Sequence, residues 1–241
     1  MNLGIFLEQV PDGDGAWWQM LASGLGWTLG TAFFAWIVAF TLGSIVGVVR
    51  TTDSRWLVRI GNAYVELFRN IPLIVQFFVW YFVVPDVIPA VKAWVISLDP
   101  TEHQFVTSIA CLGLFTSARI AEQVRSGIQS LSHGQRNAGY AIGLTQPQTY
   151  RYVLLPMAYR IIIPPLTSEV MNLIKNTAVA YSIGLVELFF RTREMAEMTF
   201  RYFEAFAAAT LIYMVIAMTA NRVMALIERR VSVPGYIAGG K

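Results

Sequence analysis

The side chains best suited to chemistry in this chain lie where apolar sequence would be expected. Lys175-Asn176-Thr177, with Asn172 one turn earlier, interrupts an apolar stretch about fourteen residues beyond Ile161, or about 20 Å along a helix. A cation and two amides within one turn can hold a charged solute away from water. They can equally cap a helix break and satisfy neighbouring backbone, and the residue types allow both readings. Glu66 and Arg69 are three apart on one helical face and can pair. Arg119, Glu122 and Arg125 repeat that spacing. In apolar surroundings such groups form ion pairs or snorkel to a membrane edge, so Glu66, Arg69, Arg119 and Glu122 are expected to be structural charges.

Bond-breaking chemistry has little to work with. Two histidines, His103 and His133, and one cysteine, Cys111, cannot build a His/Cys metal cluster, and one thiol leaves no internal disulfide. Neither a Gly-x-Ser-x-Gly elbow nor a zincin helix occurs. The expectation is no catalytic residue, no metal and no cofactor in this chain.

The elements that position these residues follow from composition. Of 241 residues, 56% are hydrophobic and 14% charged, far from a soluble domain. Five membrane spans are expected, at about 21–49, 60–84, 105–122, 161–190 and 203–227. The second and third are short of apolar residues and must borrow Glu66, Arg69 and the segment from Arg119 to Glu122. The fourth is broken by Pro164-Pro165 and again around Asn172 to Thr177. Glu8, Asp12 and Asp14 replace the basic region of a cleavable signal, so the first span is expected to serve as the insertion signal. Arginines concentrate after spans one and three and near the C-terminus. The positive-inside rule therefore puts the N-terminus and segment 1–20 outside, and the C-terminal tail 231–241 inside. The +3 charge has no Lys/Arg block, which excludes nucleic acid as a partner and leaves membrane lipid.

That orientation places a polar island, residues 132–156, in the cytoplasm. Ser132-His133-Gly134-Gln135 and Thr145-Gln146-Pro147-Gln148 each have the S/T-x-x-Q form of a capping box, and Gly143 suits a left-handed helix terminator. The pattern predicts helix, glycine corner, helix, with Pro156 redirecting the chain into the next span. A second helix carrying Thr145, Gln146, Gln148, Thr149 and Arg151 has no broad apolar face for lipid, which favours docking to a soluble partner.

The spacing of this island resembles the E-A-A-x3-G-x9-I-x-L-P motif of permease subunits of ABC importers. Ala138, Gly143, Leu155 and Pro156 match; Asn137 stands for the motif's Glu, Gly139 for its second Ala and Val153 for its Ile. Phe68-Arg69-Asn70-Ile71-Pro72-Leu73-Ile74-Val75-Gln76, Glu122-Gln123-Val124-Arg125-Ser126-Gly127-Ile128-Gln129-Ser130 and Lys175-Asn176-Thr177 resemble segments of polar amino-acid permeases, most of all those of glutamate/aspartate importers.

The resemblance implies an all-α integral membrane protein with the type I ABC importer permease fold, multi-pass in the bacterial inner membrane, forming half of a translocation pathway. It implies a coupling loop including Asn137, Ala138, Gly139, Gly143, Thr145, Leu155 and Pro156. Implied partners are two copies of an ABC ATPase, which binds ATP and Mg, a periplasmic amino-acid-binding protein, and a second related permease or a second copy of this chain. A dicarboxylate cargo would make Lys175, Asn176, Thr177 and Asn172 candidates for its path. Another polar or basic amino acid as cargo, or an autonomous gradient-driven carrier, are the alternatives. Leu131-Ser132-His133-Gly134-Gln135 differs by one residue from the signature of ABC ATPases, but no phosphate loop precedes it, and a helix cap explains the match.

Overall fold

The computed structural model describes residues 3–11 and 15–231, apart from the side chain of His133. Asp12, Asp14 and the tail after Val231 lie outside the described residues. Within them every element is helical, and the one β-bridge joins Gln9 to Ala16. The helices are α1 (Trp17–Val49), α2 (Arg55–Asn70), α3 (Leu73–Val87), α4 (Pro89–Ile96), α5 (Pro100–Gln129), α6 (His133–Ala141), α7 (Gln146–Thr149), α8 (Leu155–Asn176), α9 (Leu188–Thr199) and α10 (Tyr202–Val231). α1, α5 and α10 are each long and apolar enough to cross a membrane, and the total rises to five if two broken helix pairs each count as one span.

Two prolines lie within helices that continue past them, although Pro156 was expected to redirect the chain. α3 continues past Pro85, and α8 runs on through Pro156 instead of turning there. In both places a five-residue π turn, Val79–Val83 or Tyr150–Leu154, ends two residues before the proline. The next amide, Val84 or Leu155, donates to the carbonyl five residues back. Proline lacks an N–H and its ring crowds the carbonyl four residues earlier; the wider π turn relieves that conflict without ending the helix. Pro164 and Pro165 also lie inside α8 rather than breaking it. Ile162 and Leu166 flank them and are buried, so packing holds a helix that propensity would end. The break comes at Asn176, where α8 passes into a 3-10 helix, Thr177–Ile183, closed by Gly184 at φ +90°.

The chain divides into two compact units. The first comprises Met1–Val38, Ile71–Gly113 and Asn172–Met218. Its core gathers Trp17, Leu21, Leu188, Met195 and Ala205. Glu187, fully buried, caps α9 there by accepting from the backbone of Phe189 and Phe190 at 2.9 and 2.8 Å and from the Tyr213 hydroxyl at 3.2 Å. The second unit comprises Ala39–Asn70, Leu114–Met171 and Thr219–Lys241. Glycines let its helix backbones approach: a Cβ on Gly47 would lie 2.6 Å from Val124, and one on Gly127 would lie 2.6 Å from Ile162.

Candidate functional site

The polar island folds as a rigid corner. α6 ends in a Schellman motif: Leu144 N donates to Gly139 O at 3.1 Å and Gly143 N to Tyr140 O at 3.0 Å. Gly143 sits at φ +85°, the left-handed conformation its position demanded. Gln148 Oε1 accepts from the Thr145 backbone at 2.8 Å and from its hydroxyl at 3.0 Å, so the second capping box forms. The first does not. Ser132 has the extended backbone of an N-cap, yet its side chain makes no capping bond.

Two bonds tie the corner to the turn after α1. Tyr150 donates its hydroxyl to Thr51 O at 2.6 Å, and Gln146 Nε2 donates to Asp53 at 2.9 Å. The continuous run from α7 through the π turn into α8 then gives the corner a direct helical extension. Asn137, Ala138, Gly143, Thr145 and Pro156 are exposed, Leu155 is half-buried and Gly139 is buried.

Gly139 departs from the resemblance's Ala for a local reason. A Cβ there would lie 2.8 Å from Thr149 Cγ2, so the threonine methyl occupies the space. Gly139→Ala is expected to gain helix propensity but lose packing, and Thr149→Ser, which removes that methyl, is expected to release the clash. A double-mutant cycle on thermal stability is expected to give a favourable coupling of about 1 kcal/mol. Strict additivity would show that the methyl is not the obstacle.

Three arginines converge on Glu122. Arg50 Nη2 lies 2.7 Å from its carboxylate, and Arg69 and Arg125 lie 3.5 Å from it. Arg69 therefore pairs with Glu122 and not with Glu66, which is exposed. Arg50, 6% exposed, also donates to Asn62 Oδ1 at 2.8 Å. Arg119 stands apart from this hub, with its guanidinium 5.1 Å from the centre of the Phe115 ring. Beside the hub is a cavity of about 330 Å³ lined by Arg69, Arg119, Glu122, Gln123 and Glu169. Sequence spacing pointed to Arg69, Arg119 and Glu122 but missed Glu169. Its signal was present, as the only carboxylate between Ile161 and Val186.

Lys175 is exposed in the last turn of α8, and Asn172 and Asn176 are half-buried. Thr177 is buried and donates to Ile174 O at 2.7 Å. Thr177 thus serves the helix break, while the Lys175 ammonium remains accessible.

Comparison with known proteins fits this arrangement. The chain is 49% identical over 240 residues to the glutamate/aspartate import permease protein GltJ of Escherichia coli K12, covering 99% of this chain and 98% of that one. It is 33% identical over 230 residues to the probable glutamine ABC transporter permease protein GlnM of Bacillus subtilis 168, covering 95% and 98%. A crystal structure of an amino acid ABC transporter with histidines matches with a TM-score of 0.74 at 27% identity, over 89% of this chain and 95% of that one. Residues 39–233 match the model of the binding-protein-dependent transport system inner membrane component, and the chain belongs to that family of ABC importer permeases.

Proposed function

We propose that this permease carries glutamate and aspartate inward across the bacterial inner membrane, as half of a translocation pathway completed by a second related permease or a second copy. The observation that carries the cargo is the likeness, over nearly the full length of both chains, to a glutamate/aspartate permease. The family keeps ATP hydrolysis in a separate subunit. In this reading two ATPase copies bind ATP and Mg, and a periplasmic protein delivers the amino acid to the outer face.

The segment from Asn137 to Pro156 is the coupling loop. What supports this is its stiffness: a glycine corner, a capped second helix, and bonds to Thr51 and Asp53. When the ATPases close, the loops are drawn together, and helices joined to rigid corners convert that movement into a switch from inward-facing to outward-facing. Hydrolysis resets the switch. Asn137, exposed on α6, meets the ATPase with an amide in place of the family's carboxylate. Cargo must bind the two states unequally, or ATP could drive no net transport.

Lys175, Asn176 and Asn172 belong to the cargo's path, with Lys175 the cation that a carboxylate meets, while Thr177, buried and bonded to Ile174 O, holds the helix break beside them. Lys175→Met is expected to leave assembly intact and reduce glutamate uptake by on the order of tenfold. Unchanged uptake by the variant would remove Lys175 from the path. The cargo itself is tested by deleting the chain in its host: radiolabelled glutamate and aspartate uptake is expected to fail, and a selective failure of glutamine or arginine uptake would contradict the assignment.

A further inference from the structure

A second cavity, of about 440 Å³, lies where the ends of α1 and α5 meet the start of α6. Arg50 and Arg136 line it, together with Thr51, Thr52, Gln129 and Ser132, and no carboxylate does among the described residues. Leu131 and Leu154, both buried, give it an apolar wall. The Arg50 side chain is only 6% exposed. Its Nε donates to Asn62 and its Nη2 to Glu122, but Nη1 is buried without a hydrogen-bond partner among the described residues. Glu122 is shared with Arg69 and Arg125, so it does not neutralise Arg50 in full. Arg136 sits 5.9 Å over the Tyr150 ring and has no ion pair within 4.0 Å among the described residues. A buried cationic N–H without an acceptor is costly, and an anion in the cavity relieves that cost.

We infer that this cavity holds a phosphate-bearing anion, a phospholipid headgroup or a free phosphate, gripped by Arg50, Arg136 and the uncapped start of α6. Ser132 lines the cavity at the N-cap of that nine-residue helix, and its side chain makes no capping bond. The first amides of a helix have no intrahelical acceptor, and together with the helix dipole they favour a negative group. Guanidinium groups and amides reaching in from separate elements suit the several oxygens of a tetrahedral anion. Thr51 and Thr52 are not its donors, because their hydroxyls already donate to Val48 O and Val49 O. The unused Ser132 cap, which the S-x-x-Q pattern leaves unexplained, then has a role: the anion takes the place of the cap. An anion bridging Arg50 and Arg136 also ties α6 to the end of α1, beside the bonds that Tyr150 and Gln146 make to Thr51 and Asp53. It thereby stiffens the corner from its open side.

The test uses the full chain purified without its ATPase, whose own phosphate sites would otherwise contribute. One arm measures equilibrium binding of radiolabelled inorganic phosphate to the chain in phosphatidylcholine nanodiscs. The other measures, by native mass spectrometry, phosphatidylglycerol retained from mixed phosphatidylglycerol and phosphatidylcholine nanodiscs. The parent is expected to bind saturably in at least one arm: phosphate binding identifies the free anion, and retained phosphatidylglycerol identifies the headgroup. In whichever arm binds, Arg136→Gln is expected to weaken binding by about tenfold, and Arg136→Lys to stay within about threefold of the parent. Ser132→Asp is the second variant, because it places a carboxylate where the anion sits. It is expected to weaken binding by about tenfold or more while melting at or above the parent's temperature, since aspartate is itself a good N-cap. That combination separates a lost site from a damaged fold. Binding by neither ligand in the parent would overturn the site, and so would affinities within about twofold of the parent in both Arg136→Gln and Ser132→Asp. If neither ligand binds and Arg136→Gln sheds the ATPase from the complete importer, the cavity belongs to a partner's acidic side chain, and the site is overturned as well.

Discussion

Gly143→Val is expected to cut ATP-driven uptake on the order of tenfold while leaving the chain inserted in the membrane. The cause is conformational. Gly143 sits at φ +85°, and a Cβ placed there meets nothing within 4 Å, so space is not the constraint. A β-branched residue in that conformation costs about 2 kcal/mol, roughly a thirtyfold shift against the corner. The Schellman bonds from Leu144 and Gly143 depend on the same conformation. Gly143→Asn is therefore expected to retain most activity, since asparagine tolerates left-handed backbone. The check is ATP-driven uptake and ATPase stimulation for both variants. Wild-type values in Gly143→Val would remove the docking role, and equal losses in both would shift the cause from backbone to the side chain's presence.

Glu122→Gln is expected to have the largest effect on stability. The substitution keeps the shape but removes the anion that three arginines share. Arg50 suffers most, because its side chain is 6% exposed and Asn62 is a neutral acceptor. Leaving a buried guanidinium without its carboxylate costs about 3 kcal/mol. Removing both partners avoids that cost, so Arg50→Met combined with Glu122→Gln is expected to recover most of the loss. Thermal unfolding in detergent measures this. A double variant no more stable than Glu122→Gln alone would show that the uncompensated charge is not the source.

How far sequence reached can be judged from these residues. Gly143 and the Thr145–Gln148 box were legible because each is a local device: backbone conformation and a bond between residues three apart decide them. Ser132 has the same local signature, yet its side chain makes no cap, because a box pattern permits the bond without requiring it. The prolines were misleading for a related reason. Pro156, Pro164 and Pro165 disfavour a helix locally, but a π turn before Pro156 and buried neighbours around Pro164-Pro165 override them. The charge hub was half legible. Spacing of three showed that Glu66 could pair with Arg69, but only the fold brings Glu122, fifty-three residues along the chain, to Arg69 instead. Glu169 was visible as a lone carboxylate in an apolar stretch, while the cavity it lines with Arg69 and Arg119 is tertiary.

In the proposed function, this chain moves an acidic amino acid only as part of an ATP-driven machine. Reconstitution in liposomes tests it most directly, comparing radiolabelled glutamate uptake by the purified chain alone with uptake by the chain plus companion permease, ATPase, binding protein, ATP and Mg. No uptake is expected from the chain alone, and ATP-dependent accumulation is expected from the complete set. Gradient-driven uptake by the chain alone, independent of ATP, would contradict it.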